Sequence, residues 1–252
     1  MDDYLKDLRP EYADRIPDLT RRFHKLHPDG DAAERRRYVQ SQVLRDAHRM
    51  VDLRKLASLS GEDPLDVRRI LQTHMSWRER LGGSHVLMQL RSFLRKARTV
   101  ADIGCGLTPV WLLDACPRVE RCVGFEPNRR LAMLVQRLCE KLRARCATIH
   151  PCGFSSAQCG ELAGGRFDLV LVQKLIPALV SRHDRRTLEA LSRINFRNML
   201  VTGSKFSLAR TISIEAEERE SILDFIRQAR FRVVRVFDAE KEFGYLVTRG
   251  GR

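Results

Sequence analysis

The chain has 252 residues, of which 43% are hydrophobic and 31% are charged, and its formal net charge is +14. This length and composition exclude a disordered chain and leave room for one large α/β domain, or for a catalytic domain with a small appendage. Because no apolar run reaches 18 residues and no basic-then-apolar leader is visible, we predict a cytoplasmic protein with no membrane partner and no secretory signal.

The first 75 residues show helical periodicity. Apolar residues recur at helical spacing over 16–26 and again over 38–53, and turn residues at 27–30 and 60–64 interrupt the pattern. We therefore predict an N-terminal helical domain over residues 1–75. Arginines on helices more often form a solvated face. Because this chain is strongly basic, we predict instead that a set of arginines contacts phosphates: Arg35, Arg36, Arg37, Arg45 and Arg49.

The stretch 100–109 predicts a buried strand, a glycine turn and a helix. Gly104 and Gly106 allow a sharp turn and a close approach to a ligand, as in dinucleotide-binding folds. A dinucleotide fingerprint would have a third glycine where Pro109 stands, and Asp102 at the strand end would repel a pyrophosphate. A carboxylate here suits a cofactor with an ammonium group, so we predict a cofactor site around Asp102, Gly104, Cys105 and Gly106. The alternative is a tight turn without a ligand.

A second acid supports the cofactor interpretation. Glu126 follows the next apolar run, 24 positions after Asp102, which is the spacing of a carboxylate that binds the ribose hydroxyls of an adenosine cofactor. Pro127 and Asn128 then precede a helix with apolar periodicity, which places Glu126 at a strand–helix junction. We predict that Glu126 and Pro127 contact the cofactor; the alternative is a solvated loop acid.

From about residue 84 onward, helix and strand patterns alternate. Strands are expected near 120–125, 146–150, 168–172 and 198–202, and two further strands at 231–237 and 243–248 flank a polar turn. The pattern predicts an α/β domain over residues 76–252. Its sheet is expected to be mostly parallel and seven-stranded, with right-handed crossovers and a terminal antiparallel hairpin.

Ligands of such sheets bind outside the carboxyl ends of the strands, where Gln173 and Lys174 follow the strand at 167–172. Methyltransferases that alkylate exocyclic amines usually carry an Asp or Asn followed by two prolines and an aromatic residue here, and this chain does not. A ring nitrogen with a free lone pair, such as guanine N7, needs alignment and no base. We predict that Gln173 contacts the cofactor and that Lys174 holds the target base or its phosphate. The alternative is a lysine that reaches solvent.

All seven cysteines lie between Cys105 and Cys159, without a C-x-x-C pair, so we predict reduced thiols and no metal site. Pro151-Cys152 resembles the nucleophile of pyrimidine C5 methyltransferases. However, it follows the third strand, where the adenine of the cofactor is expected, and no activating base is near in sequence. We therefore assign Cys152 to the cofactor site.

The positive charge is distributed unevenly. Residues 1–80 contain 17 basic and 15 acidic residues, whereas residues 81–252 contain 29 and 17. This excess of basic residues favours a polyanionic partner, and a nucleic acid is favoured over an acidic membrane. An otherwise ordinary basic enzyme is the alternative.

The D-x-G-x-G pattern at 102–106 resembles motif I of the class I S-adenosylmethionine-dependent methyltransferases. The segment His74–Leu81, HMSWRERL, resembles the H-x-S-x-[KR]-E-R-L motif of the aminoglycoside-resistance methyltransferases that modify guanine N7 in the decoding site of 16S rRNA. The segments 102–109, 174–177 and 242–247 are similar to further motifs of that family. The resemblance is weak in the N-terminal helices.

The resemblance implies the class I fold, S-adenosylmethionine as cofactor and S-adenosylhomocysteine as product. It implies a site in which His74 lies at the cofactor, Arg80 binds the cofactor carboxylate, Glu126 binds the ribose and Lys174 lines the target pocket. It also implies that the N-terminal helices dock on the small ribosomal subunit, and we expect a monomer.

The chain departs from the family at three places. Glu126 stands where the family generally has Asp, Pro151-Cys152 stands where it has an acid, and the loop at 203–210 is shorter and less basic. We still predict RNA contacts in that loop, at Lys205 and Arg210.

The main hypothesis is a methyltransferase acting on guanine N7 of 16S rRNA in the assembled small subunit, with aminoglycoside resistance as a consequence. Adenine N1 is the nearest competing target. The sequence is also compatible with a non-catalytic RNA-binding module and with a small-molecule methyltransferase.

Overall fold

The structure is a computed structural model that describes residues 16–47, 51–83, 85–154, 165–207 and 212–250, with the side chains of 43–47 left out. The chain forms two compact units. One comprises residues 1–50 with 206–214, and the other comprises residues 51–205 with 215–252.

The described residues of the first unit include two helices, α1 (Ile16–Leu26) and α2 (Ala32–Ala47). Phe23 of α1 is buried, and its ring lies 5.6 Å from that of Tyr38 on α2. In the turn between the helices, a Cβ on Gly30 would lie 2.5 Å from the Phe23 ring, so the ring requires a glycine there. Asp31 and Glu34 exchange side-chain and backbone hydrogen bonds at the start of α2, which forms a capping box.

The second unit begins with five short helices: α3 (Leu53–Leu59), α4 (Val67–Leu71), α5 (Met75–Leu81), α6 (Val86–Gln89) and α7 (Arg91–Leu94). Asp52 and Asp66 cap α3 and α4 by accepting hydrogen bonds from backbone N–H groups. The apolar faces of these two helices share one core with strands of the sheet. The two compact units divide at residue 50/51, and the domain boundary at 75/76 stays a prediction.

The sheet has seven strands: β1 (Thr99–Ile103), β2 (Arg121–Phe125), β3 (Ala147–His150), β4 (Phe167–Gln173), β5 (Phe196–Ser204), β6 (Phe231–Asp238) and β7 (Glu242–Arg249). Their order is β3-β2-β1-β4-β5-β7-β6. The pairs among β1–β5 are parallel, and β7 is antiparallel to both β5 and β6. The predicted α/β fold, with a mostly parallel sheet and a terminal antiparallel hairpin, is confirmed.

Five helices follow or join the strands: α8 (Thr108–Ala115), α9 (Arg129–Leu142), α10 (Ile176–Ser181), α11 (Arg185–Arg193) and α12 (Glu215–Gln228). Successive strand residues face opposite sides of the sheet, so Val100 and Leu169 pack on the side of α8 and α9, while Ala101 and Val170 pack on the side of α10–α12. The chain leaves β1 toward β2 on one side and β4 toward β5 on the other. A crevice is therefore expected at the carboxyl ends of β1 and β4.

Among the described helices, all are too short or too polar to cross a membrane.

Candidate functional site

The turn after β1 is built on two glycines in the left-handed region. Gly104 has φ +73° and Gly106 has φ +48°. The N–H groups of Gly104 and Cys105 both donate to the carbonyl of Phe125, which fastens the turn to the end of β2. A Cβ on Gly104 would have no atom of the described residues within 4 Å, whereas one on Gly106 would lie 3.0 Å from Nε2 of His74. The turn thus has an open side at Gly104 and a closed side at Gly106.

Asp102 is a buried carboxyl with one unpartnered oxygen. Its Oδ1 lies 3.5 Å from Nε2 of Gln173, which also donates to the Thr108 hydroxyl at 3.2 Å. Oδ2 of Asp102 and Oε1 of Gln173 have no hydrogen-bond partner among the described residues. Burial raises the pKa of Asp102 well above its usual range. The two oxygens suit a ligand that donates hydrogen bonds or carries a positive charge.

Glu126, only 8% exposed, lies directly after β2. Its Oε2 accepts the N–H of Gly106 at 3.1 Å, and its Oε1 accepts the N–H of Asn128 at 2.9 Å. Burial raises the pKa of Glu126 despite these two bonds. A carboxylate has about four acceptor positions, so Glu126 can also accept from ligand hydroxyls. The structure brings the two predicted motifs together through the bond between Glu126 and Gly106.

Arg80 on α5 is buried beside the first residue of β7. Its guanidinium donates to Glu242 at 3.0 Å and lies 5.3 Å from the centre of the Trp77 ring. The other oxygen of Glu242 accepts the N–H of Val86 at 2.9 Å. Burial would raise the pKa of Glu242, but the charges of Arg80 and Lys174 outweigh it and the pKa is lowered. The Nε of Arg80 is buried and has no partner within the described chain, which leaves one donor for an anionic ligand.

His74 is a buried, neutral imidazole at the start of α5. Burial, followed by the charges of Arg80 and Lys174, lowers its pKa to about 4. Its Nε2 faces Gly106, and its Nδ1 has no partner in the described ranges. His74 therefore packs against the glycine turn, next to the place where the sequence predicts the cofactor.

Lys174 ends β4 with a left-handed backbone, φ +55°. Its N–H donates to the carbonyl of Thr202 at 3.0 Å and to the Thr202 hydroxyl at 3.2 Å. Its ammonium lies 3.4 Å from a carboxylate oxygen of Glu79, and the two side chains are 22% and 14% exposed. A non-glycine residue in this region is uncommon and occurs at functional sites where the surroundings hold it.

Other predicted residues have different surroundings. Cys105 is buried, burial raises the pKa of its thiol, and its Sγ would lie 2.9 Å from a Cβ on Gly124. Its side chain therefore belongs to the core, and only its backbone faces the turn. Cys152 is half-buried after β3 and packs against the core beneath it. Pro127 is exposed next to Glu126.

The predicted RNA contacts are only partly described. On α2, Arg36 and Arg37 are exposed and Arg35 is half-buried. The side chain of Arg45, and Arg49 and Arg210 altogether, lie outside the described residues. Lys205 pairs with Asp238, and its side chain is 17% exposed. No group of three or more His, Cys, Asp or Glu side chains that could hold a metal occurs in the part of the chain that the structure describes.

Sequence reasoning assigned no role to Glu79 or Glu242. Each forms an ion pair with a predicted site residue. Glu242 carried a usable signal: it opens an antiparallel strand, so it lies at the edge where the parallel strands end. Glu79 carried a signal as well, because it stands at the glutamate position of the H-x-S-x-[KR]-E-R-L motif that His74–Leu81 resembles.

No protein-family model matches the sequence, and no curated protein matches it. The structure is similar to that of the 16S rRNA methylase RmtB, with a TM-score of 0.61 and 18% identity over 99% of this chain and 94% of that one. It is similar to an rRNA methylase from Escherichia coli, with a TM-score of 0.62 and 18% identity over 97% and 94% of the chains. It is also similar to the 16S rRNA methyltransferase RmtF in complex with S-adenosyl-L-homocysteine, with a TM-score of 0.57 and 22% identity over 99% and 100% of the chains. At these identities the similarity shows that the chain has the same fold as those rRNA methylases.

Proposed function

We propose that the protein is an S-adenosylmethionine-dependent methyltransferase that alkylates a base of 16S rRNA in the small ribosomal subunit, with guanine N7 as the target atom. One observation carries the proposal. Two buried polar atoms with no partner among the described residues, an acceptor on Asp102 and a donor on Arg80, occur at the strand ends where such a fold binds ligands, together with the open space beside Gly104.

These residues fit the proposed cofactor. Asp102 and Gln173 present acceptors to an ammonium group, and Nε of Arg80 presents a donor to a carboxylate. Glu126 lies at the neighbouring strand end and has acceptor capacity for the ribose hydroxyls. Burial raises the pKa of Asp102, the hydrogen bond from Gln173 and the charge of Arg80 lower it, and the charge of Glu126 raises it, so Arg80 and Glu126 both act on this carboxyl. When bound, S-adenosylmethionine supplies an electrophilic methyl group on a positive sulfonium.

The residues at the end of β4 support a ring nitrogen as the target atom. Gln173 is engaged with Asp102 and Thr108, and Lys174 reaches toward Glu79, so neither residue supplies a base that would deprotonate an exocyclic amine. A ring nitrogen attacks with its own lone pair and loses no proton, so the protein needs only to align it. In this proposal Lys174 contacts the target base or its phosphate and fixes that alignment.

The proposed substrate surface lies within residues 1–75 and includes the arginines of α2. Exposed arginines can bind RNA phosphates independently of the base sequence, and the net charge of +14 favours an RNA partner. A monomer docked on the assembled subunit is the form we propose. Cytoplasmic location and aminoglycoside resistance follow from the same proposal.

The test is transfer of labelled methyl groups from S-adenosylmethionine to isolated small subunits, followed by mapping of the labelled nucleotide. We expect label at guanine N7, absent with Arg80→Ala. Unlabelled RNA, with cofactor binding measured on the same preparation, would contradict the proposal. Label at adenine N1 would retain the enzyme class and change the target.

A non-catalytic RNA-binding module is the second candidate, because Cys152 stands where the resembled family has an acid. Calorimetric titration with the cofactor separates the two. Micromolar affinity, equivalent to about 8 kcal/mol of recognition, would favour the enzyme.

A further inference from the structure

Two consecutive residues of α5 bind two different strands of the sheet. Arg80 pairs with Glu242 at the start of β7, at 3.0 Å, and Glu79 pairs with Lys174 at the end of β4, at 3.4 Å. The same turn of α5 therefore carries Arg80, which is proposed to bind the cofactor carboxylate, and contacts Lys174, which is proposed to contact the target.

We propose that Glu79 is a positioning residue for methyl transfer, which acts by holding the Lys174 ammonium in one orientation toward the target base. The inference rests on the proposed role of Lys174 and adds to it the residue that makes that role possible.

The backbone of Lys174 is fixed, but its side chain is not fixed by the backbone alone. Two hydrogen bonds to Thr202 hold the left-handed residue in place. A lysine side chain is long, flexible and binds as a point charge, so a directional role requires a partner near its end. Glu79 is that partner, in a half-buried environment that screens the pair less than bulk water would.

Two other carboxylates attract the same ammonium. The charge of Lys174 lowers the pKa of Glu242 and also acts on Glu218 of α12, so both lie within electrostatic range. Each has a closer partner, because Glu242 binds Arg80 and the N–H of Val86, and Glu218 binds the N–H of Ser204. Without Glu79 the ammonium is expected to move toward one of these two.

The pair contributes little to holding α5 in place. Its 3.4 Å separation exceeds the roughly 2.7–2.9 Å of a strong charge-assisted hydrogen bond. The same helix is already fixed by the buried pair of Arg80 with Glu242 and by Trp77, which is 1% exposed. Lys174 also keeps partial exposure and further N–H donors, so it can contact a substrate while paired.

The first test is a double-mutant cycle on methyl transfer to small subunits, with Glu79→Ala, Lys174→Ala and the double variant. We expect Glu79→Ala to lower kcat by about tenfold or more, since misplaced groups slow transfer steeply, and to leave KM for the cofactor unchanged. In the Lys174→Ala background the same change should have no further effect. Glu79→Asp should restore part of kcat, and Glu220→Ala, at an exposed glutamate of α12, should match the wild type.

An equal loss in both backgrounds, or an unchanged kcat in Glu79→Ala, would overturn the proposal. Thermal melts of every variant identify a failure to fold, and Glu79→Gln, which keeps the size of the side chain, replaces the alanine variant in that case.

A second measurement does not depend on the proposed function. The rate at which a succinimidyl ester acylates Lys174, followed by peptide mass spectrometry, should rise several-fold in Glu79→Gln, while that of exposed Lys96 stays constant. If small subunits accept no methyl group, the proposed function fails and the acylation rate still decides the pair. An unchanged rate at Lys174 means that Glu79 does not hold it.

Discussion

Gly104 and Gly106 share a left-handed backbone but have different surroundings, so alanine should have different effects at the two positions. At either position alanine costs about 1–2 kcal/mol for the left-handed conformation alone. At Gly104 the new methyl group has no atom within 4 Å. At Gly106 it lies 3.0 Å from Nε2 of buried His74, and such overpacking adds about 1–3 kcal/mol. The expected losses are therefore about 1–2 kcal/mol for Gly104→Ala and about 2–5 kcal/mol for Gly106→Ala.

Urea denaturation of both variants, with equal m-values, measures these losses. Combining Gly106→Ala with His74→Ala removes the opposing ring, so the cost of the alanine should fall to that seen at Gly104. In cofactor titration the two variants should rank in the opposite order, with the larger loss of affinity in Gly104→Ala. Gly104→Ala fills the open side of the turn, so it should lose most of the cofactor affinity although it loses only about 1–2 kcal/mol of stability.

Equal stability losses at the two glycines would refute the contact with His74. An undiminished cost of Gly106→Ala in the His74→Ala background would do the same. Unchanged cofactor affinity in Gly104→Ala would refute the placement of the cofactor beside that residue.

Three further changes have definite expected outcomes. Asp102→Asn should raise the free energy of unfolding by about 1–3 kcal/mol at pH 7 while abolishing cofactor binding. Because burial raises the pKa of Asp102 in the folded state, the wild type becomes more stable as the pH falls through that pKa toward 3.8. The stability advantage of Asp102→Asn over the wild type should therefore shrink as the pH falls, which thermal melts between pH 4 and 8 measure. Arg80→Ala should lower the free energy of unfolding by about 3–5 kcal/mol in urea, since it leaves the Glu242 carboxylate buried without its cation. Replacing the three arginines of α2 by glutamate should weaken binding to small subunits; the residues are Arg35, Arg36 and Arg37. The slope of log affinity against log salt should fall by about 2 to 3, at roughly 0.7–0.9 per phosphate contact. Cofactor affinity should stay unchanged.

The sheet and its functional edge could be predicted from the sequence because strand periodicity and motif spacing are local properties. Asp102 and Glu126 each follow a short apolar run, and parallel strands bring such positions to one edge. The division between the compact units could not be predicted in the same way. Helices α3 and α4 show the periodicity of any amphipathic helix, and the pattern does not reveal which core their apolar faces join.

The ion pairs of the site could not be predicted from the sequence either. Arg80 and Glu242 are 162 positions apart, and Glu79 and Lys174 are 95 apart. In a chain that is 31% charged, many pairings are compatible with the same sequence, and only the packing of α5 against the sheet selects these. The pair of Lys205 with Asp238 was likewise not visible in the sequence, and the RNA contact of Lys205 stays a prediction.

The distribution of unpartnered polar atoms also points to a ligand. Six buried side-chain nitrogen or oxygen atoms lack a partner among the described residues, and four of them belong to residues around the glycine turn: His74, Arg80, Asp102 and Gln173. Each such atom costs about 1–3 kcal/mol, and a fold under selection for stability alone would not concentrate them in one place. A ligand that satisfies these atoms recovers that free energy only in the folded state, so binding and folding are coupled here.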